Sequence, residues 1–226
     1  MKIRLTAAAL VSLWLISGCA WFGQNEKEKP AHELVQDGVD AYNNGSYSEA
    51  IKNFEQLKDW YPFSKYAILA ELKIADAHYR LAQYAEAASA YEEFEQLHPR
   101  NEAIPYVVYQ TGRCYYDQID TVDRDQTSAT KALEIFRRLV RQYPQDPYAR
   151  QALPHITRCI QNLTGHEFYV GEFYYRTKHY QSALKRFMAV ITDYPDVGMH
   201  SQALKYIAQC EALAAQAKMQ AKMDKK

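Results

Sequence analysis

Four times along the chain an alanine is followed at +4 by an aromatic residue, at +7 by an apolar one and at +12 by a proline. The alanines are Ala50, Ala87, Ala132 and Ala183, and the aromatics are Phe54, Tyr91, Phe136 and Phe187. Leu57, Phe94, Leu139 and Val190 follow, and then Pro62, Pro99, Pro144 and Pro195. Positions 0, +4 and +7 share one face of an α-helix, and proline biases the residue before it out of the α region. Each copy therefore predicts a helix of about fifteen residues with its own stop. Units of this kind bury their apolar faces by stacking on one another.

A second register precedes each of these helices. Gly38, Ala75, Gly112 and Gly171 are small residues with a tyrosine four places later, at Tyr42, Tyr79, Tyr116 and Tyr175, and Ala208 takes the same slot in a final unpaired helix. A small residue where two helices cross lets their axes approach closely. The combined pattern resembles the tetratricopeptide repeat and covers roughly residues 31–216. The expected fold is all-α: a solenoid of about five helical hairpins, the last one partial.

The period breaks twice. Tyr116 and Ala132 are sixteen residues apart where the other repeats have eight, and the extra chain includes the acidic run 117–125 (DQIDTVDRD), which reads as a solvated insertion or a partner contact. Pro144 and Gly171 are twenty-seven residues apart where the other repeats have thirteen. Fourteen extra residues are close to four helical turns, which keeps nearly the same face inward. This predicts one long helix, or two abutting ones, from Tyr148 to Thr177, with Pro154 in its early part or at a kink.

Ahead of the repeats, residues 1–18 have the grammar of a signal peptide: Lys2 and Arg4, an apolar run from Leu5 to Ile16, then Ser17 and Gly18. That run is too short to span about 30 Å of hydrocarbon. Leu15-Ile16-Ser17-Gly18-Cys19 resembles the bacterial lipobox, which implies cleavage before Cys19 and lipidation of that cysteine. In the sorting rule that accompanies the lipobox, Ala20 at the next position favours the outer membrane. Residues 19–30 then read as the lipidated cysteine and a flexible tether. Residues 217–226 read as a charged C-terminal tail, and the folded body is expected in the periplasm.

Basic and acidic residues number 27 each, and removal of the leader leaves 25 against 27, so long-range steering is weak and no nucleic acid is expected. No phosphate-binding glycine loop, nucleophile elbow or metalloprotease motif occurs, and the seven histidines share no metal-ligand spacing. The expectation is a chain with no cofactor, no metal and no catalysis. Cys114, Cys159 and Cys210 read as small buried packing residues rather than disulfide partners or reactive thiols.

A binding face is expected on the first helices of the pairs, which line the concave side of such solenoids. Tyr106, Tyr109, Arg113 and Tyr116 fall on one face; Leu72, Asp76 and Tyr79, and Val35, Val39 and Tyr42, are their equivalents. Aromatic surface with an interleaved arginine suits an extended apolar peptide ending in a carboxylate. The recurring Tyr42, Tyr79 and Tyr116 also read as packing between repeats, which leaves Tyr106, Tyr109 and Arg113 as the first candidates. Towards the far end, Phe168, Tyr169, Phe173, Tyr174 and Tyr175, followed by Arg176 and Lys178, read as core or as a docking face.

Particular strings narrow the resemblance: Trp60-Tyr61-Pro62-Phe63-Ser64, His98-Pro99-Arg100-Asn101 running into Ile104-Pro105-Tyr106-Val107-Val108-Tyr109, Asp123-Arg124-Asp125-Gln126, and Leu139-Val140-Arg141-Gln142-Tyr143-Pro144. With the lipobox, they are similar to the ComL family of outer-membrane β-barrel assembly lipoproteins. The resemblance implies a non-catalytic periplasmic scaffold of the BAM complex. It would bind the POTRA domain of BamA through its C-terminal repeats, meet other BAM lipoproteins, and engage unfolded outer-membrane proteins through its N-terminal repeats. Carried to this chain, the substrate groove comprises Tyr61, Pro62, Phe63, Tyr79, Tyr106, Tyr109, Arg113 and Tyr116, and the partner face Tyr174, Arg176 and Lys178. The insertion in repeat three is shorter than is usual in that family. A pilotin-like or a Tol-Pal-type lipoprotein scaffold is the alternative.

Overall fold

The computed structural model describes residues 28–223, and the secondary structure of these residues is entirely helical. The signal peptide, Cys19 and the tether up to residue 27 lie outside the described residues. Among the described residues nine helices follow in order: α1 (Ala31–Asn43), α2 (Tyr47–Trp60), α3 (Ala67–Arg80), α4 (Tyr84–Leu97), α5 (Ile104–Tyr116), α6 (Thr127–Gln142), α7 (Pro147–Arg176), α8 (Tyr180–Thr192) and α9 (His200–Met223). Each packs on its neighbours in the chain, and α5 also meets α7. The architecture is thus four hairpins with A-helices α1, α3, α5 and α7 and B-helices α2, α4, α6 and α8, and α9 is an A-helix without a partner.

Three of the four prolines act as the sequence predicts, while α8 ends at Thr192 on Asp193, which keeps a helical backbone ahead of Pro195. Tyr61, His98 and Tyr143, each directly before a proline, have φ values of −133°, −126° and −131°, outside the helical region, and close α2, α4 and α6. At the other end of α2, α4 and α8 a short turn reverses the chain, whereas α6 follows the ten-residue connection 117–126. Gly45, Ala82 and Lys178 occupy the same place in the three turns, with φ of 79°, 57° and 64°. Glycine adopts that conformation freely, whereas Ala82 and Lys178 hold it at a cost of roughly 1 kcal/mol each.

The small-residue slot sets the distance between helices within each hairpin. A Cβ added to Gly38, Gly112 or Gly171 would lie 2.6 Å from Phe54, 2.5 Å from Phe136 or 2.8 Å from Phe187. The anchor aromatic of each of these B-helices therefore rests directly on the backbone of its A-helix. Phe54, Tyr91, Phe136 and Phe187 are all fully buried.

The two breaks in period fit together. The long helix starts on Asp146, whose side chain accepts from the Tyr148 amide at 2.7 Å, with Pro147 in the first turn and Pro154 inside a single continuous helix. Its extra turns receive the insertion of repeat three. Asn162 donates to the Asp120 carbonyl at 2.8 Å, and the His166 ring donates to the Val122 carbonyl at 2.6 Å. A Cβ on Gly165 would come within 2.9 Å of the Val122 side chain. The insertion is thus fastened to α7 rather than free in solvent. α9 runs on to Met223, past the expected end of the repeat domain at residue 216. Cys114, Cys159 and Cys210 are free and buried, and burial pushes the Cys114 and Cys159 thiols up to about 12.

Candidate functional site

The A-helices are tied to one another by two rungs of rings and charges. The first centres on Asp76 of α3, which is 4% exposed. Its carboxylate accepts from the hydroxyls of Tyr91 at 2.7 Å and Tyr106 at 2.6 Å, and pairs with Lys73 at 2.9 Å. Lys73 also lies over the Tyr42 ring of α1, 4.8 Å from its centroid. Tyr106 continues the path to α7 by an edge contact with Tyr148 at 5.3 Å. Burial and the Asp76 charge raise both Tyr91 and Tyr106 above the ordinary tyrosine range, so both remain proton donors.

The second rung centres on Arg113 of α5. Its guanidinium donates to both Asp117 oxygens, at 3.2 and 3.0 Å, while the Tyr79 hydroxyl of α3 donates to the same carboxylate. The charge sits between the Tyr79 and Tyr116 rings, 5.9 and 6.0 Å from their centroids. Tyr116 in turn contacts the His155 ring of α7 at 4.4 Å, and His155 stacks on Phe136 at 5.3 Å.

Of the residues singled out from sequence, Tyr79, Arg113 and Tyr116 are therefore brought together, each half-buried. Tyr106 and Tyr109 meet through Tyr148. Tyr109 is 7% exposed, and its hydroxyl shares a hydrogen bond with His155 Nε2 at 3.1 Å, so it stands behind the surface rather than on it. Tyr61, Pro62 and Phe63 lie in the α2–α3 connection. There Phe63 is 100% exposed, while the Tyr61 hydroxyl donates to the Lys29 carbonyl at 3.0 Å. None of the described ring contacts joins them to α5. Tyr174, Arg176 and Lys178 gather at the end of α7, with the two cations exposed. Sequence reasoning missed Asp117, Tyr148 and His155 as members of the site. Asp117 directly follows an A-helix, and only its position four residues after Arg113 could have flagged it. Among the described residues no cluster of three or more His, Cys, Asp or Glu could hold a metal, and no helix is long and apolar enough to cross a membrane.

Burial first, and the Arg113 charge second, hold His155 below the ordinary histidine range, with Asp117 acting in the opposite sense. A histidine with a lowered folded-state pKa binds fewer protons folded than unfolded. Its contribution to stability is complete above the unfolded pKa of about 6.5 and is lost as the pH falls through that value towards the folded one. Urea midpoints taken from about pH 7.5 down to about pH 5.5 are accordingly expected to decline, and His155→Gln to flatten the decline. Equal slopes for the two proteins would assign the pH dependence to other groups.

The family described as outer membrane lipoprotein (YfiO) matches residues 27–226. The outer membrane protein assembly factor BamD of Caulobacter vibrioides is 33% identical over 193 residues, covering 83% of this chain and 63% of that protein. The chain thus spans less than two thirds of that relative's length. BamD of Vibrio cholerae is 27% identical over 201 residues, covering 84% of this chain and 83% of that one. Among solved structures, the tetratricopeptide-like repeats of a kinesin light chain from Podosopora anserina overlay 85% of this chain and 98% of theirs at a TM-score of 0.46 and 14% identity. The architecture itself rests on the helix order and pairing described above. A match that spans every described helix leaves one assignment: the chain belongs to the YfiO family of outer membrane lipoproteins.

Proposed function

We propose that the chain is a non-catalytic assembly factor for outer-membrane β-barrel proteins, held at the periplasmic face of the outer membrane by lipidation of Cys19. The observation that carries this reading is the family match over residues 27–226, with relatives named as outer membrane protein assembly factors across most of the chain. On this reading unfolded barrel proteins lie along the A-helix face as extended segments. Phe63 and Pro62 offer exposed apolar surface at the N-terminal end, and the half-buried edges of Tyr61, Tyr79, Tyr106 and Tyr116 offer ring surface at little rotamer cost. Arg113, held by Asp117, adds a fixed charge, and Tyr109 supports the face from behind. A rigid face suits a client that pays all the ordering entropy itself. The POTRA domain of BamA docks on the opposite end through Tyr174, Arg176 and Lys178, and other BAM lipoproteins complete the complex. The relatives give no support to a pilotin-like or Tol-Pal-type scaffold.

The test is co-purification of the tagged lipoprotein from detergent-solubilised outer membrane, wild type beside Arg176→Glu. Recovery of a large β-barrel protein with periplasmic repeats is expected for the wild type. In the variant, recovery should drop by about tenfold or more, as for reversal of an interface charge. Secretin or Tol-Pal components recovered without that barrel would overturn the proposal.

A further inference from the structure

The insertion of repeat three covers only part of the surface that the added turns of α7 create. A cleft of about 660 Å³ remains between the insertion, the middle of α7 and the α8–α9 connection. That is within the range of roughly 300–1,000 Å³ typical of ligand sites. Its apolar walls are Ile119 and Val122 on the insertion and Val197 and Met199 on the far side, all left half-buried. Both walls are fixed in place. Asn162 and His166 of α7 hold the insertion by its Asp120 and Val122 carbonyls. On the other side the Asp196 carboxylate accepts from the Gly198 amide at 2.8 Å and the His200 amide at 3.3 Å, with Gly198 at a φ of 98°. A preset cleft spares a ligand the cost of ordering it.

Two groups in the cleft have unmet chemistry. Asn162 is 8% exposed. Its Nδ2 donates to the Asp120 carbonyl at 2.8 Å, which fixes the orientation of the amide and leaves Oδ1 as its acceptor. That oxygen is buried and has no hydrogen-bond partner among the described residues. Buried acceptors are nearly always paired, so this one calls for a donor from outside the chain. Arg158 lines the same cleft, is exposed, and forms no salt bridge among the described residues. On the insertion side stands Asp120, whose carboxylate accepts from the Thr121 amide at 2.7 Å. Negative charge on a ligand is therefore favoured beside Arg158 and disfavoured beside the insertion.

We infer that the cleft binds an extended peptide segment of a partner protein. The segment donates a backbone N–H to Asn162 Oδ1, lays an apolar side chain between the walls and pairs an acidic side chain with Arg158. An extended chain supplies all three, because amide donors recur along it while successive side chains point to opposite sides. A free anion would leave Asn162 and the apolar walls unused, and an acyl chain has no donor. None of these residues belongs to the face proposed for clients or to the end of α7 with Tyr174, Arg176 and Lys178. The inference goes beyond the assembly role proposed above.

The probe is a fluorescein-labelled heptapeptide, Gly-Ser-Ile-Asp-Ile-Ser-Gly, titrated by anisotropy into the full lipoprotein in detergent. Saturable binding is expected, weakened by about tenfold or more by Arg158→Glu, as for reversal of an interface charge. A peptide with lysine in place of the aspartate should show the opposite order, binding Arg158→Glu better than wild type. N-methylation of the three central amides, one at a time, should cost about tenfold at the amide that meets Asn162. Arg158 is exposed, and circular dichroism verifies that its variant is folded. Absence of binding, or binding indifferent to Arg158→Glu, would overturn the inference. So would three N-methylated peptides that all bind as the parent does, since Asn162 would then be satisfied by water. Binding abolished by Arg113→Glu and untouched by Arg158→Glu would place the peptide on the client face and overturn it as well.

Discussion

Asp76→Ala is expected to lower the unfolding free energy by about 3 kcal/mol, and the thermal midpoint by about 10 °C for a chain of this size. The carboxylate is 4% exposed and accepts from two tyrosine hydroxyls, of which Tyr91 belongs to a fully buried side chain. Removing the acceptor takes that partner from both donors and leaves the Tyr91 hydroxyl, on a fully buried side chain, without it, a loss that costs about 1–3 kcal/mol per buried group. Lys73→Ala deletes an ammonium whose side chain is 30% exposed but leaves the Asp76 carboxylate with both tyrosine donors, so it is expected to cost less, about 1 kcal/mol. Each repeat contacts little beyond its neighbours, so the damage should be local. Amide exchange in α3, α4 and α5 should rise in Asp76→Ala while α8 keeps its protection. A loss spread evenly over all helices, or one no larger than that of Lys73→Ala, would remove Asp76 as the pin between repeats two and three.

The contrast between these residues and the repeats shows what the sequence could disclose. Helix positions were legible because they depend on spacings of four, seven and twelve residues within one element. The long helix was legible as a count of residues between Pro144 and Gly171. What the count did not contain was the reason for it: the insertion of repeat three docks on the added turns through Asp120, Val122, Asn162 and His166. Those partners are separated by more than 40 residues, and no local pattern links them. The site was legible as a face but not as a network. Tyr106 and Tyr109 look alike on a helical wheel, yet α7 packs against α5 and buries Tyr109 at 7% exposure. An A-helix inside a solenoid has several covered faces, and a wheel does not say which neighbour covers which. The left-handed turns at Ala82 and Lys178 were hidden for a different reason. Neither residue type advertises positive φ, whereas glycine at position 45 does.

Gly112→Val is expected to cost about 3 kcal/mol, at the upper end of what overpacking does to a close-packed core. Its first added atom would sit 2.5 Å from the Phe136 ring, well inside contact distance, and the two methyls have no better place to go. Phe136 cannot swing aside: it is fully buried and held by His155 stacked at 5.3 Å, by Tyr109 at 5.9 Å and by Tyr116 at 6.2 Å. Relief therefore requires α5 and α6 to separate, which outweighs the few tenths of a kcal/mol by which valine improves on glycine in a helix. Phe136→Leu in the same protein makes room for the valine, so the double variant should regain about half of the lost stability although the second change alone is destabilising. Urea denaturation of the four proteins measures that coupling directly. The consequence reaches the site, because Arg113 follows Gly112 on α5 and its bond to Asp117 is what aligns the Tyr79 and Tyr116 edges. On the function proposed above, Gly112→Val should weaken binding of an unfolded barrel protein even at temperatures where the chain remains folded. Additive effects in the four-protein cycle would mean that α5 and α6 can part freely, and the small slot would then set neither the fold nor the face built on it.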